Sequence, residues 1–131
     1  MTPYDLTFTP PAPVVPVYLS GTVHTRPRVR VSALIDTAAD ITAIPSSLVN
    51  RLKLYQVGRT QLEGIEAVKS PVFTYKVRLI LDDKVFSPLE VALVDYDFVD
   101  LGRDVLTNYY LLLNGPEETF DLRTSPFALT S

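Results

Sequence analysis

Hydrophobic and polar positions alternate with a period of two over much of the chain, and that period belongs to strands. The clearest run is Val72 to Leu81. It places Phe73, Tyr75, Val77, Leu79 and Leu81 on one face and Thr74, Lys76 and Arg78 on the other. Asp82-Asp83-Lys84 is a polar turn, and Leu89, Val91 and Leu93 alternate with Glu90 and Ala92 in the returning strand. Val29 and Val31 alternate with Arg26, Arg28 and Arg30, which predicts a strand with a charged, solvated face. Tyr55 to Ile65 reads as a further strand broken at Gly64, followed by an exposed turn over Glu66 to Pro71. Leu111-Leu112-Leu113 reads as a buried strand. Asn114-Gly115 is a turn signal, and Thr119 to Leu122 is the last strand.

Helical signals are short. Ser46-Ser47 ahead of Leu48 and Leu52 predicts one or two capped turns. Asp104 is placed to cap a second short helix, with Val105, Leu106, Tyr109 and Tyr110 on one side. Thr9 to Pro16 holds four prolines, so residues 1–13 are expected to form an extended arm that leads into a strand at Val14 to Leu19. The sum is an all-β domain, mainly antiparallel, with one or two short helices. One domain is expected over residues 1–131, with residues 116–131 as a C-terminal strand and tail.

Composition narrows the function classes. Of the 131 residues, 47% are hydrophobic and 21% charged, which fits a globular chain. The absence of cysteine excludes disulfides, thiolate nucleophiles and cysteine metal sites. The single His24 has no nearby serine or second ligand residue for a triad or a metal site. Asp95 to Asp100 is acid-rich, but Val99 stands where a calcium loop needs a ligand and the loop glycine is missing, so a solvated turn is expected. A net charge of -3 argues against nucleic acid as a partner. No stretch of roughly 20 apolar residues is present to span a bilayer. The first residues lack a basic segment followed by an apolar run, so a cytoplasmic location without a signal peptide is expected.

The chemistry concentrates in Val31 to Pro45. An apolar, β-branched run ends at Asp36, small residues follow, and a second apolar run leads to Pro45. A strand delivers the Asp36 carboxylate to the floor of a turn between hydrophobic segments, where it is costly unless hydrogen-bonded or functional. Taken alone, Asp36 also fits a strand-ending acid whose side chain caps the next loop.

Ala33-Leu34-Ile35-Asp36-Thr37-Ala38-Ala39-Asp40, followed about 65 residues later by Leu101-Gly102-Arg103-Asp104 with a hairpin between, resembles the retroviral-type (retropepsin-like) aspartic proteases. The resemblance covers Val14 to Gly115. It implies a closed, acid-protease β-barrel that works as a homodimer, because the chain carries one such motif and the chemistry needs two carboxylates. By the same resemblance, Asp36 is the catalytic acid and Thr37 fixes the dyad against the partner's backbone. Asp40 contacts substrate and pairs with Arg103. Gly64, Ile65, Glu66, Ala67 and Val68 form a flap over a peptide bound in extended form. No cofactor is implied. Ala38 departs from the family's glycine, which leaves two expectations: an active aspartic endopeptidase, or a weak or inactive dimerisation or peptide-binding module.

Overall fold

A computed structural model describes residues 1–63 and 69–128, with 59–63 and 69–72 described by their backbone alone. Among the described residues, ten strands and two four-residue helices follow one another along the chain. They are β1 (Thr2–Pro3), β2 (Val14–Ser20), β3 (Val29–Ile35), β4 (Ala43–Pro45), α1 (Leu48–Arg51), β5 (Gln56–Glu63), β6 (Lys69–Leu81), β7 (Lys84–Val94), β8 (Val99–Leu101), α2 (Arg103–Leu106), β9 (Tyr110–Asn114) and β10 (Thr119–Arg123).

Seven strands form one sheet in the order β2-β3-β8-β4-β7-β6-β5, and β2 also pairs with β6. That extra pairing closes six strands into a barrel and leaves β5 as a free edge. Closure puts alternate side chains inside. Val17, Leu19, Ala33, Val77, Leu79, Val91, Val99 and Leu101 are fully or almost fully buried there. Most pairings are antiparallel. Two are parallel: β3 with β8, in the register Ala33↔Val99, Leu34↔Asp100 and Ile35↔Leu101, and β4 with β7.

A second sheet, β1-β10-β9, lies apart from the barrel sheet. Phe120 and Leu111 turn toward the core, but Leu112 and Leu113 are 44% and 49% exposed. The expectation of a buried strand at Leu111 to Leu113 is therefore corrected: Leu112 points away from the core, and Leu113, although on the same face as Phe120, stays about half exposed on the edge strand.

Other details differ from the sequence expectations. Lys69 to Pro71 belong to β6 and pair with β5, rather than forming a turn. The expected common face of β6 holds from Val77 to Leu81, but Phe73 is 45% exposed and Thr74 is buried. A register shift between Val77 and Leu79 breaks the β6–β7 ladder. The Thr74 hydroxyl donates to Glu90 Oε2 at 2.6 Å, which satisfies it in the interior. Neither helix has a side-chain N-cap: Ser47 makes none, and the N-cap of α2 is Gly102, with Asp104 inside the helix. Among the described residues, no helix is long and apolar enough to cross a membrane.

Candidate active site

Strand β3 runs its apolar side chains into the barrel and stops at Ile35, so Asp36 emerges at the strand's end. The parallel partner β8 fixes its backbone: the Asp36 amide donates to the Leu101 carbonyl at 3.0 Å. Within the loop, the Ala39 amide donates to the Asp36 carbonyl at 3.2 Å, and the Ala38 amide donates to Asp36 Oδ1 at 3.1 Å. One carboxylate oxygen is thus oriented by its own turn. Non-glycine residues in the left-handed region, among those described, are Lys53, Asp82 and Glu118. Ala38 is not one of them, so alanine fits this backbone without strain.

The loop is laced to the β8–α2 segment. The Arg103 amide donates to the Ala39 carbonyl at 2.9 Å. Thr42 is fully buried; its amide donates to Asp104 Oδ2 at 2.9 Å and its hydroxyl to Asp104 Oδ1 at 2.6 Å. The same hydroxyl accepts the Gly102 amide at 3.0 Å, and Asp104 Oδ1 also accepts the Val105 amide at 2.9 Å. Asp104 therefore ties two distant segments together, where the sequence had suggested a helix cap. Gly102 is extended, with φ -92° and ψ -179°. Its role is close approach: a Cβ there would lie 2.8 Å from the Ile41 carbonyl carbon and 2.9 Å from its oxygen.

Asp40 and Arg103 form an ion pair across the same junction, with side chains 85% and 53% exposed. Solvent screens such a pair, so it contributes about 0–1 kcal/mol. Thr37 and Ala38 are exposed on the loop. Gly64, Ile65, Glu66, Ala67 and Val68, expected to form a flap, lie outside the described residues.

The fold also brings in a residue that the sequence had assigned to a solvated turn. Asp100 is half-buried in β8, between the fully buried Val99 and Leu101. Its pairing with Leu34 turns it to the same sheet face as Leu34 and, two residues on, Asp36. Burial, then a side-chain hydrogen bond with Asp36 and the Asp36 charge, push its carboxyl up to about 7. Asp100 Oδ1 is sealed from solvent and finds no hydrogen-bond donor. Burial and the charges of Asp100 and Asp36 also raise the Tyr96 hydroxyl above its ordinary value. Beside the pair lies an open cavity of about 360 Å³, lined by Ala38, Asp40, Ile41, Ala92, Leu93 and Asp100 among others. The missed signal was the strand context of Asp100, alternating with two apolar residues directly ahead of Gly102.

Such a site can hold a proton between carboxyl groups at the edge of a side-chain-sized cavity. Comparison with known proteins gives the family and the fold. The family model described as retroviral aspartyl protease matches residues 9–114. No curated protein sequence matches the chain. Solved structures that share the fold include the following three. The EIAV protease complexed with the inhibitor HBY-793 has a TM-score of 0.52 at 23% identity, covering 73% of this chain and 86% of that one. The solution structure of simian foamy virus (mac) protease gives 0.51 at 16% identity, covering 71% and 92%. A retropepsin-like aspartic protease from Rickettsia conorii gives 0.54 at 14% identity, covering 82% and 80%.

Proposed function

The chain belongs to the retroviral aspartyl protease family, and from that premise we propose that it is an aspartic endopeptidase whose two catalytic carboxyls are Asp36 and the Asp36 of a second copy. The observation that carries the proposal is the placement of Asp36. It stands at the end of a core strand, its backbone bonded to Leu101 and one oxygen bonded to the Ala38 amide.

Facing carboxyls of like charge share a proton, so one is an acid while the other is a base. (The aspartic-protease dyad is a standard illustration of this.) The ionised carboxylate takes a proton from water, and the hydroxide oxygen bonds to the peptide carbonyl carbon. The protonated carboxyl gives its proton to the carbonyl oxygen. Collapse of the tetrahedral species breaks the C–N bond, and the leaving nitrogen takes a proton. Asp36 is oriented by bonds already made before substrate arrives, so little reorganisation remains at the moment of reaction.

In this proposal a homodimer forms the site, Thr37 meets the partner's backbone, and the Asp40–Arg103 pair steadies the loop. The exposed apolar side chains Tyr110 and Leu112, which share one face of the small sheet, supply a surface for the second copy. The substrate is an extended peptide crossing above the Asp36 loop, with a side chain in the neighbouring cavity.

A peptide-library digest over acidic to neutral pH tests the proposal, alongside sedimentation mass. Cleavage at a mass near twice 14.6 kDa, lost by a factor of at least about 10³ in Asp36→Asn with the dimer retained, supports it. Retained cleavage in that variant removes Asp36 from the chemistry. A second proposal, a peptide-binding or dimerisation module, is favoured by the exposed Ala38 methyl beside the cleft. Silent wild-type protein that gains peptidase activity on Ala38→Gly identifies a sterically blocked site.

A further inference from the structure

Asp100 is a buried-edge carboxylate that the dyad chemistry does not use. Its Oδ1 is sealed from solvent and has no donor. An ionised oxygen in that position forfeits its hydration without replacement, which is costly. The groups around it offer no remedy. Asp36, at the end of β3, is itself an acceptor when ionised. On β4 and β7 its cavity neighbours are Ala43, Ala92, Leu93 and Val94, which have apolar side chains. Asp40 in the Asp36 loop is an acid already paired with the Arg103 guanidinium of α2. The Thr42 hydroxyl and the Asp104 carboxylate are committed to each other. Tyr96, in the turn before β8, is kept protonated by burial and then by the charges of Asp100 and Asp36, but its hydroxyl does not reach Asp100 Oδ1, which has no hydrogen-bond partner. The donor that satisfies both carboxyls is a proton between them.

We propose that Asp100 is a positioning residue: its protonated carboxyl donates a hydrogen bond to Asp36 of the same protomer and holds the catalytic carboxyl in orientation. The inference rests on the endopeptidase function proposed above. Asp36 is then gripped from two directions, by the Ala38 amide on one side and by the Asp100 hydroxyl on the other. No bond to carbon changes at Asp100. Its proton stays in place during turnover and leaves to solvent only at higher pH. Because burial and Asp36 hold that carboxyl at about 7, the hydrogen bond is present below neutrality and is lost as pH rises through about 7. Above that pH two like charges face each other and the orientation fails.

The test compares Asp100→Asn and Asp100→Leu with wild type in kcat/KM between pH 5 and pH 9, with carboxyl ¹³C titration by NMR. Asparagine keeps a donor and cannot ionise. Leucine suits the apolar walls but removes the donor. In wild type, kcat/KM is expected to include a loss of about tenfold at one unit above the Asp100 ionisation. In Asp100→Asn the acid-side plateau drops two- to fivefold and the component at about 7 disappears. In Asp100→Leu activity falls at least tenfold at pH 5–6 although the melting temperature rises. The Asp100 carboxyl signal itself should titrate at about 7 and move down in Asp36→Asn, staying above the ordinary carboxylate range because burial persists. Matching pH profiles in wild type and Asp100→Asn overturn the inference, as does an Asp100 signal titrating at ordinary carboxylate values. If neither wild type nor any variant cleaves peptide, the endopeptidase function fails instead, and the NMR titration still decides whether Asp100 holds a proton against Asp36.

Discussion

Asp104 and Asp100 lie four residues apart on the same segment, and the fold treats them oppositely. Asp104 accepts from the Thr42 amide, the Thr42 hydroxyl and the Val105 amide, so its charge is solvated by fixed donors. Asp100 has one sealed oxygen with no donor and a second carboxyl beside it. The first arrangement fastens the Asp36 loop to α2. The second leaves a carboxyl whose protonation state changes near neutrality. A half-buried acid that is fully hydrogen-bonded reads as scaffold, and one left short of donors reads as chemistry.

The contrast can be broken where it is strongest. Asp104→Ala strands the buried Thr42 hydroxyl and amide and should cost about 3 kcal/mol in chemical denaturation. A loss below about 1 kcal/mol would mean that Asp104 is not the fastening. Asp100 should behave in the other direction. Its carboxyl is raised in the folded protein above the ordinary value of 3.8 to about 7, so the native state binds more protons than the unfolded chain across that interval. Stability should then fall as pH rises from about 4 through about 7. Allowing for solvent screening of a half-exposed group, the drop is about 1–2 kcal/mol. Melts of wild type and Asp100→Asn at pH 5 and pH 8 measure it, and the variant should lack this component. The smallest effect belongs to the exposed ion pair: Arg103→Ala should cost about 0–1 kcal/mol, measured as a shift in denaturation midpoint, and less in high salt.

Much of the barrel could be read from alternation alone. Val77, Leu79, Leu81 and Val91 occupy the interior that their period of two assigned them. The Asp36 turn was legible because an apolar run that stops at an acid is locally unusual. Gly102-Arg103 was legible because of its spacing from that turn. What escaped is long-range. The parallel pairing of β3 with β8 brings Leu34 opposite Asp100 across more than half the chain, and nothing local to either segment encodes that register. Asp104 looked like a helix cap because an acid ahead of Val105 and Leu106 satisfies that pattern, while its actual donor sits 62 residues earlier. Leu112 and Leu113 looked buried because a run of leucines states a need for cover without saying which chain provides it.

Mixing wild-type protein with Asp36→Asn at equal amounts, after dissociation and reassociation, tests the shared site most directly. If each site needs an Asp36 from two copies, only wild-type pairs work, and activity should fall to about one quarter of that given by the same total amount of wild type. Activity near one half would mean that each chain carries a complete site by itself, and the dyad across two subunits would be wrong.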